Sequence, residues 1–76
     1  MKIRSIKPRD NQILEIVADD GRVGLFDLTP YLELEAFSDL KDSGNFKKVK
    51  NGGYFVEWEN GADLSADTID AHLLII

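Results

Sequence analysis

With 76 residues, 43% of them hydrophobic and 30% charged, the chain has the balance of one ordinary globular domain spanning 1–76 and not of a disordered segment. It contains no cysteine, which excludes disulfides, thiol catalysis and zinc–thiolate sites together. A net charge of −5 argues against nucleic acid as a partner of the isolated chain. No apolar run nears the roughly 20 residues of a membrane span, and MKIRSIKPRD lacks a signal peptide's apolar segment, so the expected location is the cytoplasm.

Lys2 to Lys7 holds enough Ile for a first strand. Its charges and the following Pro8 suit a sheet edge, where they discourage pairing with another molecule. Pro8 with Arg9-Asp10-Asn11 supplies a turn. The stretch from Ile13 to Pro30, ILEIVADDGRVGLFDLTP, then reads as a β-hairpin running into a helix start. Asp20-Gly21 is the expected two-residue type I′ turn, because both residues tolerate positive φ better than most. That register sets Leu14 against Asp27, Ile16 against Leu25 and Ala18 against Val23 on a core face. It sets Glu15 against Phe26 and Val17 against Gly24 on the other. The second face usually packs under a loop or helix; otherwise Val17 and Phe26 are contacts for a partner.

Thr29 is the expected cap of a helix with Pro30 at its first position. Leu32, Ala36, Phe37 and Leu40 give that helix an apolar side with a break near Ser38, and Asp42-Ser43-Gly44-Asn45 reads as a loop. In a second hairpin, Asn51-Gly52-Gly53 as a three-residue loop pairs Phe46 with Trp58, Lys47 with Glu57 and Val49 with Phe55. Asn60-Gly61 turns the chain again. Ser65 then caps a helix with Asp67 in its first turn, favourable at the positive helix end, and His72 and the apolar tail Leu73 to Ile76 follow. The elements add up to an α+β fold, an antiparallel sheet of four or five strands built from hairpins with two short helices.

Asp27-Leu28-Thr29-Pro30 and Asp63-Leu64-Ser65-Ala66 both place Asp-Leu-hydroxyl between a strand and a helix start, suggesting two strand-strand-helix units. In those positions the two carboxylates are expected to accept hydrogen bonds from turn or helix N–H groups. Asp27, Asp63 and His72 are also the only acids and bases with any recognisable placement for catalysis. Their spacing matches no metal-ligand motif, and every glycine lies in or beside a turn, which leaves no phosphate-binding loop. No catalytic residue, cofactor or metal is therefore expected. Basic residues cluster at Lys2, Arg4, Lys7 and Arg9 and at Lys41, Lys47, Lys48 and Lys50, whereas Glu57 to Asp70 holds five acids and no base. Such segregation usually marks solvated faces. As an interface it offers Glu57, Glu59, Asp67 and Asp70 as a charged rim to Val17, Phe26 and the apolar tail.

The ordered markers Asp20-Gly21, Asp27-Leu28, Phe46, Trp58, Gly61 and Asp63-Leu64, between about Gly21 and Ile69, resemble a bacterial family known as domain of unknown function 2442. The chain departs from that pattern at Glu59 and Ala66, where proline is common, which loosens those turns. The resemblance implies a compact α+β fold without established catalysis and structural roles for Gly21, Asp27, Leu28, Phe46, Trp58, Gly61, Asp63 and Leu64. It also implies a partner, because members are often encoded beside a small protein of the domain of unknown function 4160 family, an arrangement suggestive of toxin–antitoxin pairs. Some longer relatives carry an added helix-turn-helix, for which nothing after Asp70 is long enough. The expectation is a non-enzymatic partner-binding module, the antitoxin-like half of such a pair, with a homodimer as a competing use of the same patch. A DNA-associated regulator, and a small ligand-binding protein or hydrolase using Asp27 and Asp63, are the alternatives.

Overall fold

The computed structural model describes residues 1–76. Its elements follow the chain as β1 (Ile3–Arg9), β2 (Ile13–Ala18), β3 (Val23–Asp27), 3-10 segments at Thr29–Tyr31 and Glu35–Lys41, α1 (Ser43–Phe46), β4 (Lys50–Asn51), β5 (Phe55–Glu57), β6 (Asp63–Ser65), α2 (Ala66–Ala71) and β7 (Leu74–Ile75). The class is α+β, as the residues led one to expect. The strands form two antiparallel sheets instead of one, ordered β1-β2-β3-β7 and β4-β5-β6.

β1 lies at the edge of the larger sheet, and Pro8 sits inside it opposite Leu14, where an edge position needs no donor from the proline. The turn is thus one residue later than expected, at Asp10-Asn11-Gln12. Asn11 and Gln12 both take positive φ, 64° and 57°. Asparagine accepts this readily. Gln12 is fixed by accepting from Leu28 N–H at 3.0 Å and donating from Nε2 to the Lys41 carbonyl at 3.2 Å.

The first hairpin corrects the expected register by one residue. Leu14 faces Phe26, Glu15 faces Leu25, Ile16 faces Gly24 and Val17 faces Val23. Ala18 N–H donates to Arg22 O at 2.9 Å and Gly21 N–H to Ala18 O at 3.0 Å, so the loop is three residues, Asp19-Asp20-Gly21. Only Gly21, at φ 94°, has positive φ, whereas a type I′ turn needs it at both central residues. The shift exchanges Leu25 and Phe26 between faces. Phe26 is 1% exposed and belongs to the core, so its expected role as a partner contact is withdrawn.

One core of 15 side chains joins Leu14, Ile16 and Phe26 of the first sheet to Phe37, Leu40, Phe46, Val56, Trp58, Leu64 and Ile69. All helical segments contribute from this side. The Glu35–Lys41 segment is 3-10 and not the expected α-helix, and it buries Phe37 and Leu40. Thr29 caps nothing; Asp27 accepts from its N–H at 2.9 Å instead. Asp42 turns the expected loop into the helical turn α1 by accepting from Gly44 and Asn45 N–H at 2.8 and 3.2 Å.

In the second hairpin Lys50 faces Glu57 and Asn51 faces Val56, three residues away from the expected pairing. Phe46 is consequently on α1, and its contact with Trp58 is a stack across elements and not a cross-strand pair, although both rings are buried as expected. Ser65 caps α2 as expected, accepting from Thr68 N–H at 3.1 Å. The loop Glu59-Asn60-Gly61 repeats Asp19-Asp20-Gly21 closely. Trp58 N–H donates to Ala62 O at 2.9 Å, Gly61 N–H donates to Trp58 O at 3.0 Å, and Gly61 has φ 90°. The strand-strand-helix order is present twice, as β2-β3 with Thr29–Tyr31 and β5-β6 with α2, but the expected Asp-Leu-hydroxyl echo is not in register with it, since Asp27 ends its strand and Asp63 begins its own. The two carboxylates differ accordingly: Asp27 caps a turn while Asp63 is an exposed strand residue opposite Glu57.

Candidate functional site

An antiparallel sheet with one wet face normally alternates apolar inward and polar outward. The four-stranded sheet departs from this. Its inner rows are Leu14, Ile16, Ala18 and Phe26, and its outer rows hold Ile13, Val17, Val23 and Leu25. Pairing of Leu25 with Leu74, and donation from Ile76 N–H to Val23 O at 2.9 Å, extend the outer rows with two more aliphatic residues. Leu74 and Ile76 are each 66% exposed. None of these six side chains is among the residues that form the core or pack against it. At the β1 side the same face carries Ser5, Lys7 and Arg9, and Arg9 donates to Glu15 within it. A concavity of about 350 Å³ opens there between Arg9, Asp10, Ile13, Glu15, Leu25 and Ile76.

The tail reaches this face because Gly24 lets it. A Cβ at that position would stand 2.5 Å from Leu73 Cγ and 2.9 Å from Leu74 O, so the closeness of β7 to β3 requires glycine. The space left by the missing side chain is filled by the chain's own Leu73. Arg22 fixes the path into it: its Nε donates to Asp20 Oδ2 at 2.8 Å and its guanidinium to Asp70 Oδ1 at 2.9 Å, tying the first turn to α2 just before β7. The Arg22 contacts, first among them its backbone N–H on Oδ1, hold the Asp20 carboxyl below its usual range. The Asp20 and Asp70 carboxylates in turn hold the guanidinium above its own.

Of the proposed rim, Asp70 is held by Arg22, the residue before Val23. Glu57 lies on β5 and Glu59 in the following turn, in the smaller sheet, and Asp67 is on α2. Three of the five acids already have cationic neighbours: Glu59 is 3.5 Å from Lys48, Asp67 is 3.7 Å from the Met1 amino group, and Asp70 meets Arg22. Glu57 and Asp63 face each other across β5 and β6 as like charges.

Asp27 and His72 line one concavity of about 310 Å³ with Phe26, Pro30 and Tyr31; Asp63 does not reach it. The pocket joining Asp27 and Asp63, on which hydrolysis would depend, is not formed. A third concavity, of about 260 Å³, lies beside Trp58, Asp39 and Asn45. Its polar lining is largely spent on itself, with Asn45 Nδ2 donating to Asp39 O at 3.1 Å and Lys48 beside Glu59. No group of three or more His, Asp or Glu gathers as a metal site, and no helix is long and apolar enough to cross a membrane. The residues of this face missed from the sequence are Ile13, Val23 and Leu25, the last two having been expected on the core face, whereas Val17 and the tail were expected here. Their signal was present in the pairing of the largest apolar residues, since Leu14 opposite Phe26 turns Leu25 outward.

Fold and face together define a small two-sheet α+β domain whose larger sheet carries half-buried and exposed aliphatic side chains on its outer face. The family described as "Protein of unknown function (DUF2442)" matches residues 3–72, and the chain belongs to it. No curated protein and no solved structure matches the chain.

Proposed function

We propose that this chain is a non-catalytic partner-binding module of the bacterial cytoplasm that docks a protein on the outer face of its four-stranded sheet. What supports this is the face itself: six aliphatic side chains outside the core, with Ile13, Val17, Val23 and Leu25 half-buried and Leu74 and Ile76 exposed. On this face the aliphatic side chains lie toward β3 and β7 and the charged Lys7, Arg9 and Glu15 toward β1, and specific interfaces combine apolar and charged area in this way. The partner is the small protein of the domain of unknown function 4160 family encoded beside members of this family, which makes the chain the antitoxin-like half of the pair.

Co-expression of the two products tests it. The expected result is a complex that survives gel filtration in the parent and is lost in Val17→Asp and Leu25→Asp, with both variants keeping the parent's circular dichroism. Lys7, Arg9 and Glu15 stand on the same face, so association is expected to slow with rising salt while the aliphatic side chains set the lifetime. A complex indifferent to both substitutions, or no complex at all, contradicts the proposal. Phe26→Asp is unsuitable here because it places a charge in the core.

A further inference from the structure

We infer that β7 is a displaceable cover over the edge of β3, and that an extended aliphatic segment of the docked protein takes its place as the fourth strand of the larger sheet. This rests on the docking reading and names the backbone through which the partner binds. β3 is paired along all five of its residues to β2, from Ile13 opposite Asp27 to Val17 opposite Val23. On its other side β7 pairs only with Gly24 and Leu25 and adds one bond, from Ile76 N–H to Val23 O at 2.9 Å. Phe26 and Asp27 lie beyond that pairing. The bond also shows which way the backbone turns: Val23 points its polar groups to this edge, and Leu25, two residues on, does the same. Without β7 these groups are the unpaired row to which another chain adds as a strand.

Little of β7 is buried. Leu74, Ile75 and Ile76 are 66, 54 and 66% exposed, so the strand is held by a few backbone bonds, which exchange with water at small net cost, and by the side chain of Leu73. Leu73 is half-buried against the core and fills the space where a Cβ on the buried Gly24 would stand. Segments held so lightly belong to the low-stability end of a fold. β3 lies within the family match at residues 3–72 and β7 beyond it, so the edge belongs to the matched domain and its cover does not. The opposite edge of the sheet is closed to the same use. Pro8 interrupts the donors of β1, and Asn51 and Gly53 already engage the carbonyl and N–H of Ile3. The form of β7 shows what fits: a strand antiparallel to β3, aliphatic, with a leucine-sized side chain over Gly24. Leu74 opposite Leu25 shows that alternate side chains of such a strand continue the outer face.

The probe is a synthetic peptide with the sequence of residues 70–76, DAHLLII, added to the labelled whole chain while amide exchange and shifts are read. In the parent the peptide should speed exchange at Ile76 and leave Leu25 protected, because one strand replaces another. Leu73→Ser empties the space over Gly24 and unseats β7. It should bind the peptide roughly tenfold tighter than the parent, as follows from removing a cover seated about nine-tenths of the time. Gly24→Ala also releases β7 but fills the space, and should bind more weakly than Leu73→Ser. Should Leu73→Ser fold poorly by circular dichroism, exchange at Ile76 and Leu25 of the parent decides alone. A peptide that leaves both amides unchanged, or that perturbs only the smaller sheet, overturns the inference. With the neighbouring gene's product in place of the peptide, a complex in which Ile76 keeps its protection also overturns it and leaves docking on the face intact. A product that does not bind, beside a peptide that does, supports the edge as a strand acceptor and removes the docking proposal.

Discussion

The indole N–H of Trp58 donates to the backbone carbonyl of Phe46 at 2.9 Å while the two rings stack with centroids 6.2 Å apart. One residue thus closes β5 onto α1 by both packing and a buried polar bond, and Phe37 meets the same indole edge-on at 6.4 Å. Trp58→Ala is expected to cost about 3 to 5 kcal/mol, a large share of a small domain's stability. Trp58→Phe keeps most of the packing and leaves the Phe46 carbonyl without its donor, for about 1 to 3 kcal/mol. Urea unfolding followed by circular dichroism checks both; equal midpoints for parent and Trp58→Ala would place the ring outside the core.

Gly24→Ala is expected to release β7. The new Cβ overlaps Leu73 Cγ and approaches the Leu74 carbonyl, a backbone atom that cannot swing aside. Overpacking of this kind costs about 1 to 3 kcal/mol if the neighbours stay, and less if the tail leaves. Hydrogen exchange distinguishes the two, because a detached tail speeds exchange at Ile76 while β2 keeps its protection.

Asp27 and Asp63 separate despite their matching sequence context. Asp27→Ala loses the acceptor for Thr29 N–H and should cost about 1 kcal/mol, with Asp27→Asn losing less. Asp63→Asn removes a like charge opposite Glu57 and should be neutral or stabilising by about 0.2 to 1 kcal/mol. Thermal melts of the three variants decide this, and a marked loss in Asp63→Asn would refute it.

The Asp20 carboxyl, lowered by its contacts with Arg22, gives stability a specific pH dependence. A group whose folded-state pKa lies below its unfolded value stabilises above the unfolded value and loses that contribution as pH falls through the folded one. The parent's advantage over Asp20→Asn should therefore be complete near neutrality and shrink below about pH 4. Urea midpoints measured at several pH values test it; an advantage that grows on acidification has the wrong sign.

Local chemistry was legible in the sequence wherever one residue decides the geometry. Ser65 caps α2, Gly21 and Gly61 turn the chain at positive φ, and Phe46 and Trp58 are buried together, all as their types suggest. Register was less legible. An Asp-Gly pair serves a two-residue turn or the end of a three-residue loop equally well, and the choice moved Phe26 into the core and Leu25 out of it. Asn51-Gly52-Gly53 was misread for the same reason, since Asn51 accepts from Gly53 N–H at 2.8 Å and begins the turn from within β4. The docking face was hidden in two further ways. Its last strand has only two residues, and its partner edge depends on a missing side chain at Gly24.

The docking claim is tested most directly by amide chemical shifts of the labelled chain as the neighbouring gene's product is added. Perturbation is expected along 13–17, 23–25 and 74–76, with the second sheet and the Asp27–His72 concavity unchanged. Shifts confined to Glu57–Asp70, or to Asp27, Tyr31 and His72, would contradict it.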